Sequence, residues 1–144
     1  TTGDLPQVTV KAYTKHAAVI TCSNFSSGIP LLRDALRAAL KSLDHDDWTI
    51  EIIGEHHRNK KSVPSGTSKN LATLIQSETN LTPQITSLCE GERDMGGNHT
   101  VSLKGHGEIL TLKHEIKDRT AEMKANIQKG IELLAAKDVG LYRL

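Results

Sequence analysis

Two adjacent histidines followed closely by a lysine are the side chains of this sequence best suited to proton transfer. They lie in the segment from Glu55 to Lys60, which includes His56 and His57. An imidazole has an unperturbed pKa of about 6.5 and exchanges protons near neutral pH, whereas a lysine ammonium attracts anions and can donate a proton. The segment therefore predicts acid catalysis on a negatively charged substrate.

A short polar turn after this segment has the features of an anion site. Ser65, Gly66 and Thr67 follow Pro64 and precede a stretch with apolar residues at helical spacing. Ser65 or Thr67 can cap the helix, the first-turn N–H groups carry the positive end of the helix dipole, and glycine lets an anion approach the backbone. Together with the cations Lys60 and Lys61, the turn predicts a carboxylate or phosphate site.

Simpler interpretations exist for both features. A histidine in a chain with seven of them is usually a surface or packing residue, and a Pro-Ser-Gly-Thr segment is usually a turn before a capped helix. A metal site is not expected. His56 and His57 are adjacent and would face opposite sides of a strand, and the spacing of Cys22 and Cys89 matches no zinc motif.

Composition narrows the class of protein. The 144 residues carry a net charge of +1 and only 3% aromatic residues, which leaves nucleic-acid binding as a weak alternative. The chain has no apolar run of transmembrane length and no cysteine framework, so we expect neither a membrane protein nor a disulfide-stapled secreted one. Because it begins without Met and without a signal-like segment, we expect a cytoplasmic protein, with truncation as an open alternative.

Hydrophobic periodicity predicts an α/β domain with a mixed sheet and helices on one face. The alternation from Trp48 to Ile53 predicts a strand with the two histidines at its C-terminal end. The other predicted elements are helices over 5–15, 30–43, 67–77 and 119–137, a buried strand over 17–22, a hairpin of 100–103 with 108–114, and a terminal turn at 140–142. An uncovered sheet face or edge would favour oligomerisation.

The order of motifs resembles the C-terminal two-thirds of dihydrodipicolinate reductases, also called 4-hydroxy-tetrahydrodipicolinate reductases. The family pattern Glu-x-His-His-Arg-x-Lys, followed by Pro-Ser-Gly-Thr, matches Glu55 to Lys60 and Pro64 to Thr67, with the glutamate one place nearer the histidines. The supporting matches are Thr1-Thr2-Gly3, Asn24-Phe25-Ser26 with Gly28, Gly97-Asn98-His99-Thr100, Arg119 and Gly140-Leu141-Tyr142.

The resemblance implies NADPH- or NADH-dependent reduction of a cyclic dicarboxylate in lysine and diaminopimelate biosynthesis. His56 would be the catalytic acid/base and Lys60 the proton donor. The residues implied to bind substrate are His57, Ser65, Gly66, Thr67 and Thr2, and those implied to contact the cofactor are Thr1, Thr2, Ser23 and Phe25.

The family also implies a division into domains. Residues 1–25 would be the trailing part of a Rossmann nucleotide-binding domain, 26–118 the substrate-binding and oligomerisation domain, and 119–144 a helix returning to the nucleotide domain. The family's glycine-rich loop does not occur in this sequence, so we expect the isolated chain to bind dinucleotide poorly. The expected assembly is a homotetramer.

The sequence departs from the family pattern near the site. Asn59 replaces a common histidine, and the spacer at 61–63 and the loop at 90–96 also differ, which puts the loop contacts in doubt. Two alternatives to the reductase therefore stay open: a non-catalytic oligomerisation module and a dicarboxylate-binding protein without redox activity.

Overall fold

A computed structural model describes residues 6–21, 25–43, 47–92 and 95–143. Within them the chain forms four helices and six strands. In chain order these are α1 (Gln7–Tyr13), β1 (Ala18–Thr21), α2 (Gly28–Lys41), β2 (Thr49–His57), α3 (Gly66–Glu78), β3 (Gln84–Gly91), β4 (Asn98–Gly105), β5 (Glu108–His114), α4 (Arg119–Ala135) and β6 (Gly140–Arg143).

The chain divides into two compact units. The first unit combines Thr1–Ser27 with Thr120–Leu144, and the second is Gly28–Arg119. In the first unit β1 and β6 form a parallel pair in which Ala18 is opposite Gly140. The prediction of a terminal turn at 140–142 was therefore wrong: these residues begin a strand, because they pair with a strand more than a hundred residues earlier.

The second unit is built on a four-stranded mixed sheet in the order β3-β2-β4-β5. The β2–β3 pair is parallel, whereas β4 is antiparallel to both β2 and β5. The mixed α/β fold is thereby confirmed, as is the hairpin of β4 and β5.

Helices α2 and α3 cover one face of this sheet. Their apolar stripes meet the inward residues of β2 and β4, since alternate strand residues face the same side. The buried cluster consists of Ile29, Leu32, Leu36, Leu40, Ile50, Ile52, Leu71, Ala72, Leu74, Ile75, Val101 and Leu103.

Strand β2 places His56, the first of the two adjacent histidines, in the protein interior. The strand extends four residues beyond its predicted end at Ile53, because Gly54 and Glu55 still pair with β4. Its buried positions are Ile50, Ile52, Gly54 and His56. The imidazole of His56 thus continues the face that packs against the helices.

The described helices include none with the length and apolar character required to cross a membrane.

Candidate active site

His56 is a buried histidine whose ring is short of polar contacts. Its side chain is 5% exposed, and within the described part of the chain its Nε2 has no hydrogen-bond partner. Burial lowers the pKa of His56, and the positive charges of Lys60 and His57 lower it further. The imidazole is therefore neutral near pH 7 and can accept a proton.

Ser65 caps α3 through its side chain. Its Oγ accepts a hydrogen bond from the Ser68 backbone N–H at 3.0 Å, as the sequence analysis expected of Ser65 or Thr67. The same oxygen lies 2.9 Å from Ser68 Oγ and 2.9 Å from His99 Nε2. A hydroxyl has one donor and two acceptor positions, so these three bonds use its full capacity.

The first residue of α3 presents its backbone to an anion. An α-helix provides no internal acceptor for its first N–H groups, and their dipoles point outward from the N-terminus. Gly66 is the first residue of this 13-residue helix, it is exposed, and a Cβ there would meet no atom within 4 Å. An anion therefore has open access to the backbone at Gly66.

Gly54 brings β2 and α3 into close approach. A Cβ on Gly54 would lie 2.9 Å from Ser68 Oγ and 3.1 Å from His56 Nε2. These two atoms therefore lie on the same side of Gly54, and His56 Nε2 faces the first turn of α3. The structure thus places the proton-transfer candidate beside the predicted anion-binding turn, which lies ten residues further along the chain.

Lys60 lies in the turn that follows β2. Its backbone N–H donates to the His57 carbonyl oxygen at 3.1 Å, and its side chain is half-buried. The Lys60 ammonium contributes to lowering the pKa of both His56 and His99. Its charge acts on the cluster formed by His56, His99, Ser65 and Ser68. The charge of Lys60 is therefore close enough to influence the protonation of both histidines.

The remaining predicted site residues are placed differently. His57 is half-buried at the irregular end of β2, opposite Gly91. Its side chain takes no part in the described hydrogen bonds that connect Ser65, Ser68 and His99. Phe25 belongs to the first unit and is half-buried. Thr1, Thr2 and Ser23 lie outside the described residues.

His99 lies at the centre of this cluster, although it was noted from the sequence only within the Gly97-Asn98-His99-Thr100 match and without a role. His99 pairs with Gly54 across β2 and β4 and is 2% exposed. Its ring contacts that of His56 edge to face, with centroids 5.4 Å apart and planes at 69°. The available signal was its position two residues before Val101 and four before Leu103, which places all three on the buried face.

No group of three His, Cys, Asp or Glu side chains in the described ranges is arranged to hold a metal ion.

Comparisons with known proteins identify relatives of this chain. The family model described as dihydrodipicolinate reductase, C-terminus, matches residues 28–144. The chain is 33% identical over 129 residues to the 4-hydroxy-tetrahydrodipicolinate reductase of Sinorhizobium fredii, covering 77% of this chain and 47% of that protein. It is 35% identical over 142 residues to the enzyme of that name from Rickettsia akari, covering 90% of this chain and 57% of the other.

A solved structure has the same fold. Dipicolinate-bound dihydrodipicolinate reductase from Paenisporosarcina sp. TG-14 matches with a TM-score of 0.61 and 21% identity, over 95% of this chain and 57% of the other. The chain thus spans about half the length of the relatives it matches. With a family match over most of its residues, the chain belongs to the dihydrodipicolinate reductase family, as the C-terminal part of such an enzyme.

Proposed function

We propose that this chain forms the substrate-binding part of a cytoplasmic 4-hydroxy-tetrahydrodipicolinate reductase in lysine and diaminopimelate biosynthesis. The observation that carries the proposal is the buried, neutral His56 facing the first turn of α3, with the Lys60 charge acting on the same cluster. The 4-hydroxy-tetrahydrodipicolinate reductases among its relatives and the dipicolinate-bound structural neighbour support a cyclic dicarboxylate as the substrate.

The site residues divide the work by chemistry. The backbone N–H of Gly66 at the start of α3 binds one carboxylate, because the helix dipole favours negative charge there. Thr67, the next residue of the turn, is a further candidate for contact with that carboxylate. Ser65 contributes by fixing that turn, since its hydroxyl is already fully hydrogen-bonded. His57 and Thr2 remain further candidates for contact with the substrate.

Proton transfer falls to Lys60 and His56. NADPH or NADH supplies the hydride when it is bound, and the reduced ring then requires one proton. Lys60, protonated and close to the site, donates that proton, while its charge attracts the second carboxylate. His56 accepts a proton as a neutral base and so exchanges protons within the cluster.

We assign nicotinamide contacts to the first unit, at Thr1, Thr2, Ser23 and Phe25. The parallel pairing of β1 with β6, with α1 in contact with β1, is typical of α/β nucleotide-binding domains, which supports this assignment. The second unit, Gly28–Arg119, then corresponds to the substrate domain.

We further propose a homotetramer assembled through the sheet face opposite α2 and α3. Ile109 and Leu88 lie on that face by strand register, and both are exposed. Light scattering of the Ile109→Lys variant should show smaller particles than wild type, whereas Leu31→Lys, on an exposed position of α2, should not. A wild-type monomer would reject the assembly.

Turnover measurements test the catalytic roles in a reductase that carries this chain with its nucleotide domain. His56→Ala and Lys60→Ala should each lower kcat by roughly 10²-fold or more, the usual contribution of a positioned acid or base. Lys61→Ala is the matched control: the sequence grouped Lys61 with Lys60, but Lys61 is exposed, and the charges that lower the pKa of His56 and His99 include Lys60 and not Lys61. Turnover of both variants within about threefold of wild type would refute these two catalytic roles, because a positioned acid or base contributes far more than that. A wild-type protein that forms a stable oligomer but does not reduce substrate would favour the non-catalytic module instead.

A further inference from the structure

His99 contacts both halves of the candidate site. Its Nε2 is hydrogen-bonded to Ser65 Oγ at 2.9 Å, and its ring packs edge to face against His56. We infer that His99 is a positioning residue: its imidazole holds Ser65 Oγ in place as the cap of α3 and thereby orients the backbone at Gly66 toward a substrate carboxylate. This inference rests on the proposed function for the identity of the ligand.

The hydrogen bonds around Ser65 explain why an outside anchor is needed. The other two partners of Ser65 Oγ, the N–H and the Oγ of Ser68, belong to the same helical turn, three residues along the chain. His99 comes from β4, 34 residues away along the chain, and fixes Ser65 Oγ relative to the sheet. Removing this bond frees the Ser65 rotamer and weakens the cap at Ser68 N–H.

The contact with His56 ties the same residue to proton transfer. Gly97 allows the two rings to meet, since a Cβ there would lie 3.1 Å from His56 Nδ1 and 3.5 Å from His99 Cε1. The His56 ring is therefore confined between β4 and the first turn of α3. One imidazole thus sets the relative position of the base and the anion-binding turn.

The charge state of His99 fits a geometric role. Burial lowers its pKa to about 4, and the charged groups that act on it are His56 on β2, His114 on β5 and Lys60 in the turn after β2. At neutral pH the ring is uncharged, so it adds no positive charge to the anion site. Its contribution comes from orientation and hydrogen bonding.

The test uses His99→Leu, which removes the hydrogen bond, and His99→Gln, whose amide can replace Nε2. For His99→Leu we expect the Ser68 amide to exchange hydrogen about fivefold faster, as for a weakened N-cap, and the Kd for dipicolinate to rise by a similar factor. His99→Gln should restore both values to within about twofold of wild type, as expected where the hydrogen bond is kept.

Thr79→Val is the matched control for lost stability. Thr79 is buried at the opposite end of α3, where its Oγ1 donates to Ile75 O and accepts from Leu81 N–H. This variant should leave Ser68 exchange and dipicolinate affinity unchanged. Equal effects in Thr79→Val and His99→Leu, or a His99→Gln variant as impaired as His99→Leu, would overturn the inference.

Two further outcomes keep the inference separate from the proposed function. If His99→Leu does not fold, the imidazole ¹⁵N NMR signals test the contact between His99 and Ser65 instead. Ser65→Ala should shift the His99 Nε2 signal, and an unchanged signal would show that the hydrogen bond is absent and overturn the inference. If wild type does not bind dipicolinate while Ser68 exchange responds to His99→Leu and not to Thr79→Val, the positioning role stands and the ligand class is refuted.

Discussion

At the scale of single residues, the site depends on imidazoles that stay neutral because they are buried. His56 and His99 both have a lowered pKa, with burial as the largest cause. In the proposed function, the neutral His56 is the proton acceptor and Lys60 is the proton donor. The motif from Glu55 to Lys60 was visible in the sequence, but the burial that sets these protonation states was not.

His99 makes stability depend on pH in a defined direction. Its pKa is about 4 in the folded chain against 6.5 for the unperturbed group, so below pH 6.5 the unfolded chain binds more protons. Stability is therefore full above about pH 6.5 and falls as the pH drops toward 4, by at most about 3 kcal/mol from this residue.

Urea denaturation at a series of pH values measures this effect. His99→Gln, which cannot titrate, should show a smaller loss of unfolding free energy between pH 6.5 and 4.5 than wild type. The pKa of His56 is also lowered, so His56 changes stability with pH in the same direction, and it is present in both proteins. An identical pH dependence in the two would contradict a buried, neutral His99.

At the scale of helices and strands, local patterns predicted most of the second unit. Helices α2 and α3, the strand carrying His56 and the β4–β5 hairpin follow from apolar periodicity within each segment. Contacts between distant segments could not be predicted in this way. Strand β6 pairs with β1, and a hydrogen bond joins Ser65, the N-cap of α3, to His99 on β4. Sequence periodicity shows which face of a strand is buried, but it does not show what lies opposite.

The packing of α2 against the sheet should account for much of the unit's stability. Leu36 is fully buried in the cluster, whereas Leu31 on the same helix is 70% exposed. We expect Leu36→Ala to lower the unfolding free energy by about 2–5 kcal/mol, because it removes buried apolar surface and leaves a cavity. Leu31→Ala should change it by less than about 0.5 kcal/mol. Chemical denaturation distinguishes the two, and equal losses would contradict the described packing.

At the scale of the whole molecule, the two units differ in how much apolar surface they bury. Among described residues the first unit buries Ile20, whereas the second contains the twelve-residue cluster of α2, α3, β2 and β4. Helix α4 has no buried residue in the described part of the chain. The first unit is therefore expected to open more readily in the isolated chain.

Amide hydrogen exchange of the isolated chain tests this difference. Amides of α4 and of the β1–β6 pair should exchange at least about tenfold faster than those at the centre of β2 and β4, because buried apolar contacts raise the cost of local opening. Equal protection in both units would show that the first unit is stabilised as strongly as the second.

The proposed function requires that the first turn of α3, together with His56 and Lys60, bind a cyclic dicarboxylate. The most direct measurement is a titration of the chain with dipicolinate followed by backbone amide and imidazole NMR signals. The predicted result is saturable binding with the largest shifts at Gly66, Thr67 and His56, weakened by Lys60→Ala and retained in Lys61→Ala. Saturable binding with shifts confined to other residues, or no binding at all, would contradict it.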